Sequence, residues 1–193
     1  MPESGVRSAR TSDVDDLADV NVRSWRQRFA TILPAPILDA LDARDLAMAW
    51  AHSLLNPPTP DHLVLVAVDG SAIVGYVTVG PSLDPDAGST DGELSSLEVD
   101  PGHQRRGHGS RLLSAAMDHA AAAGYGTVSV WCALTDEARR AFLQSAGWAP
   151  DSAYRDLVVD WTEEAGDVVV REVRLSASLP PEDLPPMDGL TLG

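Results

Sequence analysis

The residues with the most chemical content lie between Val99 and Leu113, where the sequence reads VDPGHQRRGHGSRLL. Gly107 and Gly109 have no Cβ, so the backbone N–H groups around them can approach a ligand closely. The helical spacing that follows predicts a helix whose unpaired N–H groups and positive dipole end point to the same place. We therefore predict that this loop binds an anion, and phosphate is the anion that we expect.

The distribution of charge supports an anionic ligand at this loop. The 193-residue chain has a formal net charge of −15, and its basic side chains are arginine and histidine, with no lysine. Between Asp100 and Asp118 it has Arg105, Arg106 and Arg111 but no acidic residue. A local group of cations in an acidic protein favours an anionic partner, whereas the overall charge argues against a nucleic-acid-binding surface.

Two common phosphate-binding motifs do not fit this loop. A P-loop requires a Gly-Lys-Ser/Thr sequence, and the chain has no lysine. A dinucleotide-binding fingerprint requires a third glycine and an acidic residue about twenty positions later, but Leu112 and Ser129 occupy those positions.

A third pattern does fit. The sequence QRRGHG at 104–109 matches Gln/Arg-x-x-Gly-x-Gly/Ala and follows the strand-like segment ELSSLEV at 93–99. This combination resembles the acetyl-CoA signature of the GNAT superfamily of N-acetyltransferases. The segment DEARRAFLQSAGW at 136–148 is similar to the family's Asn-x-x-Ala-x-x-Phe-Tyr-x-x-x-Gly-Phe, although Asp136 and Leu143 replace the asparagine and the tyrosine. The family's order of elements can be laid over about residues 5–176.

The resemblance implies acetyl-CoA as cosubstrate, and direct transfer of the acetyl group to a primary amine of a small molecule or peptide. The pyrophosphate would bind backbone amides at 105–110, and the pantetheine arm would pair with the strand backbone at 97–99. The chain's five histidines show no metal-ligand spacing, so we expect no metal. The predicted coenzyme-binding residues are Leu97, Glu98, Val99, Gln104, Arg105, Arg106, Gly107, His108, Gly109, Ser110, Arg111, Asp136, Arg139 and Phe142.

An amine with a pKa of about 10.4 is mostly protonated at neutral pH, so the reaction needs a base. Glu93 is the first candidate, because proteins of the family often have a glutamate at the start of this strand, and Glu98 is the second. Strict alternation would place Glu93 and Leu97 on one face of the strand and Leu94 and Glu98 on the other. A β-bulge, which the resemblance implies here, would change that assignment.

The resemblance also places the early helices along one wall of the acceptor site. Trp25 and Trp50 are the side chains that would line this wall, and packing in the core is the alternative for each. Asp84, Asp86 and Asp91 lie close to Glu93 in the sequence. A negative field from these four acids would attract a cationic amine, unless the acids only solvate a loop.

Hydrophobic periodicity and turn residues give the elements that hold these residues. They predict strands at 6–10, 62–68, 72–79, 93–99, 127–132, 152–159 and 168–175, and helices from Ser12 to before Pro34, at 37–55, from Gly109 to Gly124 and at 136–146. Asp69-Gly70 predicts a hairpin. A strand, a helix and a further strand between 93 and 132 predict a parallel crossover.

The predicted fold is therefore a mixed α/β (α+β), GNAT-like fold. Its central, mostly antiparallel twisted sheet has about seven strands, with a parallel crossover at its middle and about four flanking helices. We expect one domain at 1–176 and a flexible, proline-rich acidic tail at 177–193. The turn-rich segment 80–92 is expected to be a mobile loop beside the site.

Cysteine usage and hydropathy limit the remaining possibilities. The single cysteine, Cys132, excludes an internal disulfide, and its apolar strand favours a buried structural thiol over a nucleophile. The chain shows no signal peptide or spanning helix, so we expect a cytoplasmic protein with no membrane partner, and a homodimer as its assembly. Two alternative functions stay open: a coenzyme-binding sensor without catalysis, and a transferase that uses a longer acyl chain.

Overall fold

A computed structural model of the protein describes residues 4–159 and 168–180, and the fold is a single seven-stranded sheet flanked by helices. The strand order across the sheet is β1-β2-β3-β4-β5-β7-β6. The strands are β1 Ser4–Ser8, β2 Leu63–Asp69, β3 Ala72–Pro81, β4 Asp91–Val99, β5 Thr127–Ala133, β6 Ala149–Val159 and β7 Val168–Ser178.

The pairing of the strands confirms the predicted fold class. The β4–β5 pair at the middle of the sheet is parallel, and the other five pairs are antiparallel. A crossover helix, α4 (His108–Ala122), joins β4 to β5. Antiparallel neighbours can be joined by short turns, but a parallel pair needs a longer connection, which α4 provides.

Five α-helices are described where the sequence predicted about four. They are α1 Val14–Arg28, α2 Ala35–Asp39, α3 Ala43–Leu55, α4, and α5 Glu137–Ser145. The segment predicted as one helix at 37–55 is two helices, because Asp42 caps the second by accepting a hydrogen bond from the Arg44 backbone N–H at 2.7 Å. Pro34 is the N-cap of α2, and the helix predicted from Ser12 begins after one turn of 3₁₀ helix at Thr11–Asp13.

The sheet separates two apolar cores of unequal size. The larger core packs side chains of β2, β3, β4 and β5 against α4 and α5, with Leu112 and Leu143 both fully buried in it. The smaller core lies on the opposite face, where Val66 and Tyr76 of the sheet pack against Leu17 and Val20 of α1, and Trp50 of α3 packs on its edge. The two cores fix α4 and α1 on opposite faces.

The end of the domain differs from the predicted boundary at residue 176. Strand β7 continues to Ser178, and the Leu179 backbone N–H donates to the Gly126 carbonyl at 2.9 Å. Ala177 and Leu179 also pack against the larger core. Residues 177–179 therefore belong to the folded domain, because backbone pairing and apolar contacts both extend past the predicted end. The remainder of the predicted tail, residues 181–193, lies outside the described residues.

Candidate active site

The parallel strands β4 and β5 pair over only three residues. The pairs are Asp91 with Thr127, Gly92 with Val128, and Glu93 with Ser129. Beyond them, β4 stays paired with β3 as far as Val99, and β5 stays paired with β7 as far as Ala133. The two central strands therefore separate toward their carboxyl ends, and the sheet opens along one edge of β4.

Side chains bond to this open edge of β4. The Leu97 carbonyl accepts a hydrogen bond from Arg139 Nη1 at 2.7 Å, and the Val99 carbonyl accepts one from Gln104 Nε2 at 3.2 Å. Both carbonyls belong to the segment predicted to pair with the pantetheine arm. Backbone carbonyls at a strand edge need donors, so this edge is a place where an extended ligand with amide groups can pair.

The loop after β4 has the geometry predicted for an anion site. Gly107 is the N-cap of α4 and has a φ of +82°, a conformation that glycine adopts without the Cβ penalty of other residues. Arg105 also has a positive φ, of 62°. The side chains of Arg105, Arg106, Ser110 and Arg111 are exposed, and none of the three arginines pairs with a carboxylate among the described residues. Three exposed cationic side chains thus lie in the same short segment as the first N–H groups of α4.

Contacts at both ends hold this loop in place. Asp100 accepts hydrogen bonds from the Gly102 backbone N–H at 2.8 Å and from Arg23 Nε at 2.6 Å. A Cβ added to Gly109 would lie 3.6 Å from Phe142 Cζ and 3.7 Å from Val99 Cγ2. The predicted residue Phe142 therefore packs beside the start of α4 and joins α5 to the anion loop.

His108 differs from the other predicted loop residues because its side chain is buried. It is only 2% exposed, and its Nδ1 is 3.1 Å from Arg111 Nη2. Burial, together with the nearby Arg111 charge, lowers the pKa of His108. The imidazole is thus neutral at physiological pH and points into the protein, so that only its backbone N–H is available to an anion.

A buried cluster of charges connects α1, β4 and α5. Arg28 donates from Nη1 to Glu98 Oε1 at 2.5 Å and from Nε to Asp136 Oδ2 at 2.9 Å. Arg139 Nη1 lies 3.7 Å from the same Glu98 oxygen. Asp136 also caps α5 by accepting from the Arg139 backbone N–H at 3.1 Å. The two carboxylates are paired with two guanidinium groups, and this arrangement satisfies the charges of a buried site.

The predicted residues Glu98, Asp136 and Arg139 therefore meet through Arg28, which the sequence analysis missed. Glu98 is 5% exposed and its carboxylate is bonded to Arg28, so a substrate would have to displace Arg28 to reach that oxygen. The pairing joins residues 70 and 108 positions apart in the chain. No local sequence signal reports a contact of that kind.

Strict alternation along β4 is wrong because the strand has a bulge. Thr78 of β3 pairs with Ser96, whereas Val79 pairs with Leu94, so Ser95 has no partner on β3. Leu94 and Leu97 both enter the larger core although they are three residues apart. The extra residue shifts the alternation, and Glu93 and Glu98 consequently lie on the same face of β4, opposite to that core.

Glu93 is the acid whose environment fits a base. It lies on β4 two residues before the bulged Ser95, at the last paired position before β4 and β5 separate, and it is half-buried. Burial raises the pKa of Glu93 above its usual value, and the Asp84 charge raises it further. A carboxylate with a raised pKa is a stronger proton acceptor, and Glu93 pairs with no arginine at salt-bridge distance in the described part of the chain.

The acids of the loop before β4 are mostly compensated. Arg174 bonds to Asp84 at 2.9 Å and to Asp86 at 2.8 Å, and Trp131 Nε1 donates to both Asp84 oxygens at 3.0 Å. The sequence predicted a negative field from four acids at the acceptor mouth. Two of the four, Asp84 and Asp86, are ion-paired with Arg174, so the negative field is weaker than predicted. These contacts also attach the loop, expected to be mobile, to β5 and β7.

The two predicted acceptor-wall tryptophans lie in different environments. The Trp50 ring meets the Tyr76 ring edge-on, with centroids 4.9 Å apart. The Trp25 ring packs against Phe29 in a similar way, at 5.6 Å, and its Nε1 is buried with no hydrogen-bond partner among the described residues. Trp50 thus packs on Tyr76 from α3, and Trp25 of α1 packs on Phe29 with its side chain also close to Tyr76, so both tryptophans lie on the same face of the sheet.

Cys132 and Leu143 lie in the larger core. Burial raises the pKa of the Cys132 thiol, which disfavours the reactive thiolate. Leu143 is fully buried. Among the described residues, no three acidic, histidine or cysteine side chains converge where they could share a metal ion. No helix in the described ranges is long and apolar enough to cross a membrane.

The sheet is mixed, its one parallel pair separates, and a glycine-containing loop follows at the open end. The chain shares this arrangement with acetyltransferase folds. The profile of the acetyltransferase (GNAT) family matches residues 21–148, and the chain belongs to that family. The match begins in α1 and ends just before β6, so it contains the separated strands, the anion loop and α5.

Individual relatives agree with the family assignment. The uncharacterized N-acetyltransferase YuaI of Bacillus subtilis is 30% identical over 127 residues, which cover 65% of this chain and 69% of YuaI. The mycothiol acetyltransferase of Kineococcus radiotolerans is 33% identical over 133 residues, covering 62% of this chain and 42% of that protein. The crystal structure of the PaiA N-acetyltransferase of Thermoplasma acidophilum, in complex with coenzyme A, has a TM-score of 0.66 at 16% identity and covers 92% of this chain and 99% of that chain. The last comparison shows a shared fold.

Proposed function

We propose that the protein is an acetyl-CoA-dependent N-acetyltransferase that moves an acetyl group directly to a primary amine. The observation that carries the proposal is the separation of β4 from β5 after Glu93, with the anion loop at the wide end of the opening. An extended ligand with a pyrophosphate at one end and amide groups along its arm fits this arrangement. Coenzyme A in the similar PaiA structure supports the choice of ligand.

The binding roles divide between backbone and side chains. The N–H groups that begin α4 would bind the pyrophosphate, with Arg105, Arg106 and Arg111 adding favourable charge. The open edge of β4 would pair with the amides of the arm through the carbonyls of Leu97 and Val99. Arg139 and Gln104 now bond to those carbonyls, so both side chains must move aside when the arm pairs there.

The chemistry requires a proton acceptor and a stabilised carbonyl oxygen. Acetyl-CoA supplies an activated acetyl group as a thioester. Glu93 accepts the proton that the ammonium group of the substrate loses, directly or through water, and its raised pKa suits that role. Ser95, the unpaired residue of the bulge, offers a backbone N–H to an oxygen that becomes negative during transfer.

The sulfur leaves as a thiolate without a tyrosine at position 143. A free thiol has a pKa of about 8.5, so its thiolate is a good leaving group near neutral pH, and water can supply the proton. Cys132 does not carry the acyl group, because its thiol is buried and its pKa is raised. The amine therefore attacks the thioester directly.

Release of free coenzyme A from acetyl-CoA, measured with a panel of primary amines, tests the proposal. We expect release that depends on the amine, and acetyl-CoA binding that Gly109→Trp abolishes, because the added ring would fill the space between Phe142, Val99 and the loop. The thermal midpoint of Gly109→Trp serves as the folding control.

Each outcome of this experiment separates the candidate functions. If the protein binds acetyl-CoA but none of the amines causes release of coenzyme A, the result would contradict the acetyltransferase function and favour the coenzyme-binding sensor. Normal binding by a folded Gly109→Trp would contradict the location of the coenzyme site. Faster turnover with longer acyl chains than with acetyl would contradict the acetyl group as the donor.

A further inference from the structure

A pocket of about 480 Å³ lies between α3 and the sheet, on the face opposite α4. Trp50 and Leu54 of α3 form its outer wall, Asn21 of α1 lines one side, and Thr78 of β3 lies on the sheet side. The pocket extends to Ser95, the bulged residue of β4. The pocket therefore ends on β4 two residues after Glu93, close to the place proposed for the thioester.

The pocket is lined by apolar and neutral polar side chains, and one histidine is the exception to this composition. Among the described residues that form its wall there is no aspartate, glutamate or arginine. The exception, His62, has its Nδ1 occupied, since that atom is 2.9 Å from the Thr59 hydroxyl and 3.2 Å from the Thr59 backbone nitrogen. A wall of this kind disfavours a ligand with buried charges, because charge removed from water needs a partner.

Two polar groups at the pocket are left without partners. Asn21 is 4% exposed, and its Nδ2 has no hydrogen-bond partner within the described residues. The hydroxyl of Thr78 is likewise buried and unpaired in that part of the chain. An unsatisfied buried amide costs free energy, and a ligand oxygen beside Asn21 would satisfy it. Asn21 and Thr78 line the same pocket and each has an unpaired polar atom, and one bound ligand could satisfy both.

We infer that this pocket binds the body of the acetyl acceptor, and that the acceptor is a primary amine whose body is uncharged and mostly apolar and has one hydroxyl or carbonyl oxygen. The inference rests on the proposed acetyltransferase function. Asn21 Nδ2 donates to that oxygen, Trp50 and Leu54 contact the apolar body, and the amine lies at the Ser95 end near Glu93. The pocket volume is within the range of small-molecule sites. A polyamine or basic peptide would place charge against a wall that offers no carboxylate.

Kinetics with matched amines test this assignment. Phenethylamine and tyramine have the same apolar body and differ by one hydroxyl oxygen, while spermidine is a polycation. We expect kcat/KM for tyramine to exceed that for spermidine by at least about tenfold. Asn21→Leu, which removes the amide at similar volume, should raise the KM for tyramine about tenfold and leave phenethylamine within about twofold.

A matched variant on the same helix controls for helix distortion. Ser24 is buried in α1 and donates to the Asn21 carbonyl at 3.2 Å, and it does not line the pocket. Ser24→Ala should therefore leave the KM for both amines unchanged. Thr78→Val, which removes the second unpaired polar group, a hydroxyl, provides an independent test that should also raise the KM for tyramine.

The outcomes separate this inference from the proposed function. Suppose that amines do release coenzyme. The pocket assignment is then overturned if Asn21→Leu changes the KM equally for both aromatic amines, or if spermidine is the best substrate. Either result leaves the proposed acetyltransferase function intact. If no amine releases coenzyme, the proposed function fails, and calorimetry of tyramine with the protein still tests the pocket. Binding that Asn21→Leu abolishes supports the pocket, and no binding overturns it.

Discussion

The two faces of the sheet are built differently. Among the described residues, the face covered by α4 and α5 has a core of eighteen buried residues, four of them from α4. The face covered by α1 and α3 has a core of five, and α3 contributes no fully buried residue. Buried polar atoms without partners among the described residues occur on both sides of the sheet: on Asn21, Trp25, Tyr76 and Thr78 at this second face, and on Tyr125, Arg139 and Arg140 beside α4 and α5.

This difference corresponds to two ways of recognising a ligand. The proposed coenzyme side would use backbone groups: the N–H groups of α4, a glycine at positive φ, and the carbonyls of β4. A backbone site depends on rigid elements, which the dense core supplies. The proposed acceptor side would use side chains on α1 and α3, and because α3 has no fully buried residue, substitutions there should cost little folding free energy. On the proposed assignments, residues of α1 and α3 would select the acceptor and the anion loop would select the coenzyme.

Truncating a leucine on each face tests the unequal packing most directly. Leu112→Ala should lower the free energy of unfolding by about 2–5 kcal/mol, because Leu112 is fully buried in the larger core. Leu54→Ala on α3 should cost about 1 kcal/mol, since Leu54 is only half-buried. Urea denaturation of both variants gives the two values. Equal losses would contradict the comparison of the two faces.

Removing the proposed base tests whether the acceptor side is needed for chemistry rather than for coenzyme binding. Glu93→Gln should lower kcat/KM about a hundredfold near neutral pH and leave acetyl-CoA affinity unchanged. Activity of the variant should partly recover at higher pH as free amine becomes abundant. Wild-type activity should fall as the pH drops through the raised pKa of Glu93, because the base must be ionised. Glu137→Gln, at an exposed residue of α5, is the charge-matched control.

The same variant has a defined effect on stability. Burial first, and then the Asp84 charge, raises the pKa of Glu93 in the folded state. The folded protein therefore binds this proton more tightly than the unfolded chain does, and ionisation of Glu93 opposes folding as pH rises through the folded pKa. Glu93→Gln should have a higher thermal midpoint than wild type at neutral pH, and the difference should vanish below the unfolded pKa. A lower midpoint at neutral pH would contradict the burial argument.

The smallest expected effect concerns the exposed arginines of the anion loop. Arg106→Ala should weaken acetyl-CoA binding by about two- to fivefold at low salt and less at high salt, because exposed charges are screened. Arg44→Ala on α3 removes the same charge from the opposite face and should not change affinity. Calorimetry at two salt concentrations measures both. An equal effect from the two variants would show that net charge, rather than the loop, attracts the ligand.

Much of the fold could be predicted because its signals are local. The hairpin at Asp69-Gly70, the parallel crossover and the order of the elements follow from turn residues and periodicity within short segments. The anion loop is also local, since Gly107 and the arginines lie within one turn of chain and helix. Asp42 is a local signal that the sequence analysis did not use, and it divides the predicted helix at 37–55 into α2 and α3.

The remaining features are decided by tertiary structure, because they join residues far apart in the chain. Arg28 pairs with Glu98 across 70 positions, and that contact is the reason that we favour Glu93 over Glu98 as the base. Arg174 compensates Asp84 across 90 positions, which changes the charge of the acceptor mouth. The bulge at Ser95 depends on the register with β3. Sequence by itself determined the family, the fold class and most elements, and it located the loop proposed to bind coenzyme. The proposed base and the proposed acceptor pocket depend on how α1, α3 and the sheet pack together, because burial and ion pairing are properties of packed surfaces rather than of single segments.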